Sequence, residues 1–323
     1  MTKDSILACL WERPDDYISG EELAARLGVS RTAVWKGIEQ LRREGYRIDS
    51  VTKRGYRLSS DSDVLTAEGI RRYLKNKSLQ LQVFPSITST NTVLKAMAEE
   101  GAEEGLCLVA SEQTAGRGRM GRSFFSPSGS GIYLSLLLRP SLAAAEATAV
   151  TACAAAAVAE AIESLAEVKA GIKWVNDIYV SDRKVCGILT EASLDCESGR
   201  VNYLVVGIGI NTRMPKDGFP EDLQTTAGAA FGTGQIPELR CRLTAAVLDR
   251  LTAYYDQLLD REWFKSYKSR SFVLGREISI LAPGKDPEPA FALDLDEDCA
   301  LIVRTADGTI RRLNSGEVSV RPT

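Results

Sequence analysis

The chain has 323 residues, a net charge of −3 and no histidine. Its length allows two or three domains, and a balance so close to neutral excludes a protein that is basic throughout, so any nucleic-acid contact has to be local. Without imidazole, Ser-His-Asp catalysis and His-ligated metals are excluded, which leaves lysine, arginine, carboxylates and positioning as the chemical means.

The first 60 residues read as a DNA-binding module. Residues 4–11 predict a short helix. Ser19-Gly-Glu-Glu22 is a capping box opening a second helix through Leu27, and Gly28-Val29 makes a tight turn. Ser30 caps a third helix over residues 31–44, with Val34, Ile38 and Leu41 on one face. Ala24, Gly28 and Val34 fall at helix-turn-helix spacing, and residues 46–58 alternate around Lys53-Arg54-Gly55 as a two-stranded wing would. From residue 26 to 58, nine basic residues stand against three acidic ones, a local excess of six positive charges. Phosphate contacts need such a patch. The third helix is expected to enter a major groove with Ser30, Arg31, Thr32, Trp35 and Lys36 leading, flanked by Lys53 and Arg54 of the wing. A module used for protein contacts is the competing reading, and Trp35 serves either packing or readout. Residues 59–63 are polar and aperiodic, as a linker is.

Residues 64–271 predict a mixed domain. A short helix (66–74) and a strand (81–84) lead to the polar stretch Ser86-Ile-Thr-Ser-Thr-Asn91, ahead of a helix near 92–100. Such residues either cap that helix or hold a polar ligand head on its N-terminus. A strand (106–110) then delivers the chain to Gly116-Arg-Gly-Arg-Met-Gly-Arg122, where Arg117, Arg119 and Arg122 alternate with glycines. Glycine lets backbone N–H groups come close to a ligand, and arginine offers a planar fork for phosphate or carboxylate. The loop therefore wraps an anion, unless it is merely an exposed solubilising segment. It also spells Gly-x-Gly-x-x-Gly. The dinucleotide reading fails, because a strand (131–138) follows instead of a helix and no acid sits at the required distance.

Residues 142–168 are alanine-rich and free of Gly and Pro, so a long helix is expected there. Strands with tight turns follow over 171–211. Asn176-Asp177 lies between two apolar strands, where polar residues are costly unless paired. Asp177 is the one acid within the motif cluster and a candidate to orient an attacking amine or take its proton; pairing with Lys173 or Arg119 is its alternative role. Lys184 opens the next strand. Gly207 and Gly209 keep one strand face bare, as close approach of a flat ring requires, although bulges use glycine too. Residues 272–323 predict short alternating strands with a hairpin at 306–308, and their excess of acid argues against a second DNA module. Seven scattered cysteines without a Cys-x-x-Cys pair predict buried thiols in a reducing cytoplasm, with no metal site. No signal peptide and no membrane-spanning run is apparent.

Gly-Arg-Gly-Arg-Met-Gly-Arg, Lys173-Trp-Val-Asn-Asp177, Asp182-Arg-Lys-Val-Cys-Gly-Ile-Leu189 and Gly207-Ile-Gly-Ile-Asn211, in this order behind a helix-turn-helix, resemble biotin protein ligases, and most closely the bifunctional bacterial type that also represses biotin genes. Val175 departs from the family, which commonly has proline there. The resemblance implies an α+β chain: a winged helix-turn-helix (1–60), a class II synthetase-like catalytic domain (64–271) and a small SH3-like β-barrel (272–323). It further implies biotin and ATP with Mg2+ as substrates and cofactor, and a lysine of a biotin carboxyl carrier protein as acceptor. Ser89, Thr90, Asn91 and Gln113 would hold the ureido head. Arg117, Gly118 and Arg119 would cover the carboxylate and α-phosphate, with Lys184 reaching both. Asn176 and Asn211 would lie on the nucleotide side with Arg119 and Arg122, and the loop after Asn211 would order over the adenylate. Operator DNA, a homodimer in the adenylate-bound state and a cytoplasmic location complete what is implied. A regulator that only senses biotin or its adenylate, and a lipoate ligase, are the alternatives.

Overall fold

The computed structural model describes residues 2–13, 15–59, 62–143, 147–195, 200–234, 236–281, 286–314 and 317–320. The chain divides into two compact units, Met1–Leu74 with Thr233–Ala245, and Lys75–Gly232 with Ala246–Thr323.

In the first unit, α1 (Thr2–Glu12), α2 (Gly20–Leu27) and α3 (Arg31–Arg43) pack around Ile6, Leu10, Leu23, Val34, Ile38 and Leu41. The expected caps form. Ser19 Oγ accepts from the Glu22 N–H at 3.0 Å, Ser30 Oγ from Ala33 at 3.1 Å, and Gly28 closes α2 in the left-handed region. The wing is β1 (Ile48–Val51) against β2 (Gly55–Leu58), antiparallel, with Ile48 facing Leu58. At Gly55, where φ is +106°, an added Cβ would lie 2.2 Å from the Ile18 carbonyl, so the wing closes only on glycine. The stretch expected to be a free linker is held at its described end. Ser62 is buried and accepts from the Arg47 N–H, while Asp63 accepts from the backbone N–H and Nε of Arg240. Hydrogen bonding lets polar residues pack where composition alone reads solvent; Ser60 and Asp61 lie outside the described residues. Helix α4 (Ala67–Tyr73), capped by Thr66, belongs to the same unit.

The second unit is built on a mixed sheet of β3 (Gln80–Phe84), β4 (Leu106–Ala110), β5 (Gly131–Leu138), β6 (Gly171–Lys173), β7 (Asp177–Val180), β8 (Arg183–Leu194) and β9 (Val201–Asn211). Its order is β3-β4-β5-β9-β8-β7-β6. β3 and β4 run parallel, joined through α5 (Thr90–Glu99), and the remaining pairs are antiparallel. Helix α6 (Ala147–Glu163) is shorter than the predicted 142–168. Leu142 and Ala143 are drawn into sheet-like pairing with Val201 and Arg200, and Glu163 accepts from the Ala170 N–H beyond the helix end. Long-range pairing thus overrides a favourable helix propensity at the first end, and a local side-chain bond accompanies the second. α6 covers one face of the sheet, where the Thr151 hydroxyl donates to Thr190. Residues 187, 189 and 191 point to the other face, because side chains alternate along a strand.

Helices α7 (Leu239–Asp256) and α8 (Glu262–Arg270) precede β10 (Glu277–Leu281), β11 (Glu288–Leu295), β12 (Leu301–Thr305), β13 (Ile310–Leu313) and β14 (Glu317–Val320). These strands form an antiparallel sheet in the order β13-β12-β11-β10-β14, with the expected hairpin at Asp307-Gly308. Trp174 Nε1 donates to the Cys299 carbonyl and Ile172 bridges Ser271, so the strands after 272 share the second unit with the mixed sheet.

Candidate active site

The glycine-arginine segment folds as a tight loop. Phe124 N–H donates to Gly116, Gly118 N–H to Arg122 at 2.7 Å, and Arg117 bridges Ser123. At Gly116 a Cβ would meet the Phe124 carbonyl at 2.4 Å and Ser126 Oγ at 2.6 Å, so this turn tolerates no side chain. Three of its cations are directed to one cavity, whose lining includes Arg117, Arg119 and Arg122 together with Lys173 and Lys184. Asp177 is the one acid in that lining among the described residues. Such an excess of fixed positive charge in a cleft stabilises negative charge entering it.

The cavity floor comes from the sheet and the start of α5. Ser89 is the N-cap residue, and α5 begins at Thr90, two residues earlier than predicted, so Thr90 and Asn91 stand in its first turn. All three are buried. Gln113 Oε1 accepts from the Thr90 N–H at 2.9 Å, and Gln113 Nε2 donates to Ser126 Oγ at 3.1 Å. The stretch is therefore both a helix cap and part of the cavity wall.

The bare strand face has occupants from the chain itself. A Cβ at Gly207 would lie 2.0 Å from Asn91 Oδ1, and one at Gly209 would lie 2.6 Å from the Phe124 ring. At Gly187, paired with Gly209 across β8 and β9, an added Cβ would lie 3.2 Å from the same ring. The flat ring expected over these glycines is thus Phe124, and Gly207 makes room for an amide. Next to it, Phe125 meets Phe219 edge to face at 6.3 Å, tying the arginine loop to the segment after Asn211.

At the far end, Lys184 Nζ lies 2.7 Å from Asp177 Oδ1. This cation was not among the partners considered for Asp177 from the sequence, Lys173 and Arg119, both of which line the same cavity. Arg119 donates to Asn176 Oδ1 at 2.7 Å, while Asn176 Nδ2 reaches Asp177 and the Ile188 carbonyl. Val175 is buried, and its carbonyl accepts from the Tyr267 hydroxyl. Asn211 does not line the cavity. It ends β9 opposite Gly131, and its carbonyl accepts from Ala230. The segment after it returns to Lys184, whose N–H donates to Thr226 and whose carbonyl accepts from Gly228.

One residue that supports the cavity wall from outside its lining escaped the sequence reading. Glu191 of β8 accepts from Asn91 Nδ2 at 3.0 Å and Lys95 Nζ at 3.1 Å, and lies 3.4 Å from Arg117. Burial alone would raise its pKa, but the donors Asn91 and Lys95, with the positive charge of Arg117, hold it below the usual carboxylate range. The signal was present: Glu191 continues the i, i+2 row of Gly187 and Leu189. Among the described residues no thiol lines the cavity. Cys9, Cys107, Cys153, Cys186, Cys241 and Cys299 are buried and unbridged, and burial pushes the Cys107 thiol up to about 12. Cys196 lies outside the described residues. A cluster of three acidic, Cys or His side chains able to cage a metal is absent among the described residues.

In the first unit, Arg31, Thr32 and Trp35 of α3 line a second cleft with Thr52 and Lys53 of the wing. Trp35 is 53% exposed, so it is not a core residue. Ser30, Lys36 and Arg54 are also exposed, and Arg54 and Arg57 stack over Tyr17 at 4.4 and 5.0 Å. No described helix is long and apolar enough to cross a membrane.

Fold and site together define a helix-turn-helix protein whose α+β body carries a glycine-arginine loop over a polar floor. Residues 83–211 match the biotin/lipoate A/B protein ligase family, residues 2–57 an HTH domain, and residues 273–321 the biotin protein ligase C terminal domain. The bifunctional ligase/repressor BirA of Escherichia coli is 32% identical over 95% of this chain and 94% of its own length. Its counterpart in Bacillus spizizenii is 42% identical over 66% of this chain and 65% of its own length, so that match spans just under two thirds of the relative. The biotin protein ligase of Aquifex aeolicus, solved in complex with biotin and ATP, superposes with a TM-score of 0.60 at 28% identity, covering 76% of this chain and 99% of that one. The chain belongs to the biotin protein ligase family.

Proposed function

We propose that the chain is an ATP-dependent, AMP-forming biotin protein ligase that also represses transcription when it holds the adenylate. One juxtaposition carries the reading: a neutral hydrogen-bonding floor of Ser89, Thr90 and Gln113 shares a single cavity with Arg117, Arg119, Arg122 and Lys184. The floor suits a ureido head, and the cations suit a carboxylate and phosphates. In the first step a carboxylate oxygen of biotin attacks the α-phosphate of ATP. A P–O bond forms, the bond to the β-phosphate oxygen breaks, and pyrophosphate leaves. No proton moves, so the protein's task is to neutralise two anions and align them in line. Arg117 and Lys184 meet the carboxylate, Arg119 and Arg122 the phosphates, and Asn176 fixes Arg119. Asn211, buried at the end of β9, acts on the nucleotide side only through the segment it anchors.

In the second step a lysine amine of the carrier protein attacks the acyl carbon. The C–N bond forms, the C–O bond to AMP breaks, and the amine gives up a proton. A free lysine is mostly protonated at neutral pH, because its pKa is about 10.4. Asp177 is the acceptor for that proton or the anchor for that amine. Lys184, which holds it at 2.7 Å, turns toward the acyl phosphate once the adenylate is present. The helix-turn-helix supports operator binding through Arg31, Thr32, Trp35, Lys36, Lys53 and Arg54, with Ser30 as cap. A palindromic operator calls for a homodimer. The edge strand β3, with Gln80 and Gln82 exposed, is the place for it and for the carrier domain in turn. DNA and carrier protein as partners put the chain in the cytoplasm.

The test is incubation with MgATP, biotin and a biotin carboxyl carrier domain, followed by avidin blotting. Labelling of the carrier is expected. Biotin binding without labelling would leave only a regulator that senses its ligand, and labelling with lipoate instead would move the chain to the other branch of the matched family.

A further inference from the structure

Trp35 follows Val34 on α3, and Val34, Gly37, Ile38 and Leu41 form the buried face of that helix. A step of one residue turns a side chain by about 100° around the axis, so Trp35 leaves the core and shares the outward face with Arg31. It is 53% exposed, whereas Trp174 and Trp263 are buried and Trp11 packs against the core of the first unit. Val51, at the end of β1, is 42% exposed. These two apolar side chains line one cleft with Arg31, Thr32, Thr52 and Lys53, and Lys36 and Arg54 are exposed as well. Glu21 is the one acid in that lining among the described residues. A large ring left in water forgoes the stabilisation that covering it would bring. The cations around it select a polyanion as the cover.

A DNA duplex offers such a ring few apolar groups. The base edges of the major groove carry hydrogen-bond donors and acceptors, and the apolar exception is the C5 methyl of thymine. The leading residues of a recognition helix reach those edges, and Trp35 lies in the first half of α3. We propose that Trp35 is a specificity-determining residue for DNA: its indole covers a thymine methyl, Val51 closes the cleft from the wing, and the surrounding cations hold phosphates. The inference rests on the reading that the helix-turn-helix binds operator DNA. It adds the chemical class of base that is read, which phosphate contacts alone do not supply.

The test uses the full chain with biotin and MgATP. A duplex is selected from a random pool by gel shift, then remade with uracil in place of each thymine in turn, which removes only the methyl. Kd is read for the unaltered protein, Trp35→Phe and Trp35→Ala, with thermal melts as the check on folding. At one or more thymines in each half-site, uracil is expected to weaken the unaltered protein by about fourfold, the effect of withdrawing one buried methyl group. Trp35→Phe keeps an apolar ring and should keep that discrimination, whereas Trp35→Ala should bind the thymine and uracil duplexes alike. The salt dependence should be the same for all three, because no phosphate contact is lost. Indifference of the unaltered protein to every uracil, loss of discrimination in Trp35→Phe, or its survival in Trp35→Ala would each overturn the proposal. So would a Trp35→Ala protein that binds DNA unchanged and self-associates less in sedimentation, since the ring would then cover a protein surface. If Trp35→Ala does not fold, Trp35→Gln gives the same comparison. Failure of the unaltered chain to select any duplex would bring down the operator reading, and this one with it.

Discussion

Replacing Gly207 by alanine tests how the floor is built. The added Cβ would sit 2.0 Å from Asn91 Oδ1, 2.7 Å from Cγ and 2.9 Å from Nδ2. Side-chain carbons do not approach an oxygen closer than 3.0 Å, so the Asn91 amide has to move by 1.0 Å or more. It holds bonds of 2.6 Å from Ser135, 3.1 Å to Leu189 and 3.0 Å to Glu191, and a shift of that size takes at least two beyond hydrogen-bond reach. Asn91 is buried, so water does not replace them. At about 1 kcal/mol for each bond, and up to about 3 where a buried group is left unmatched, the loss is roughly 2–4 kcal/mol. In a unit of this size that lowers Tm by roughly 5–15 °C. Biotin affinity should fall by at least tenfold, since Thr90 and Gln113 hang on the same chain of bonds. Scanning calorimetry and biotin titration read both effects. Gly232→Ala is the control, because nothing lies within 4 Å of its Cβ position and its φ is not in the left-handed region. A Gly207→Ala protein that melts and binds biotin like the Gly232→Ala control would refute the reasoning.

Asp177→Asn should slow transfer to the carrier lysine by tenfold or more while adenylate formation, followed by pyrophosphate release, changes far less; equal loss in both half-reactions would remove Asp177 from the second step. Arg119→Gly should let the adenylate escape, read as biotin on the lysines of a bystander protein, and strict selectivity for the carrier would count against a retaining role for Arg119. Lys53→Ala and Arg54→Ala should each weaken operator binding about equally for all sequences and flatten the salt dependence by roughly one unit of slope; an unchanged slope would place the wing away from phosphate. Ser30→Ala should lower stability by about 1 kcal/mol through the lost cap, whereas Trp35→Ala should spare stability and reduce DNA affinity.

Much of this was legible because the signals were local. Caps at Ser19 and Ser30, the turn at Gly28 and the period of α3 each depend on residues a few positions apart, and each formed as read. The three arginines between Gly116 and Arg122, singled out from the sequence, line one cavity because their positions too are fixed within a few residues. What the sequence did not display depends on which strands become neighbours. Gly187 and Gly209 face each other only because β8 pairs with β9, so the ring resting on them could not be identified as Phe124. Leu142 and Ala143 left the predicted helix because Val201 and Arg200 pair with them from nearly sixty residues away. Glu191 stands a hundred residues from Asn91, and the meeting of Asp177 with Lys184 depends on how β7 pairs with β8.

The Phe124 ring on its two glycines has a further consequence for tempo. In the function proposed above, a loop that works by charge is fastened by a greasy pin, and a second aromatic, Phe125, clips it to the neighbouring segment. The strength of the grip on an anion and the speed of opening are therefore set by different side chains. Trimming the pin would quicken release without altering a single formal charge, so the lifetime of a trapped acyl nucleotide can be adjusted separately from the affinity that captured it.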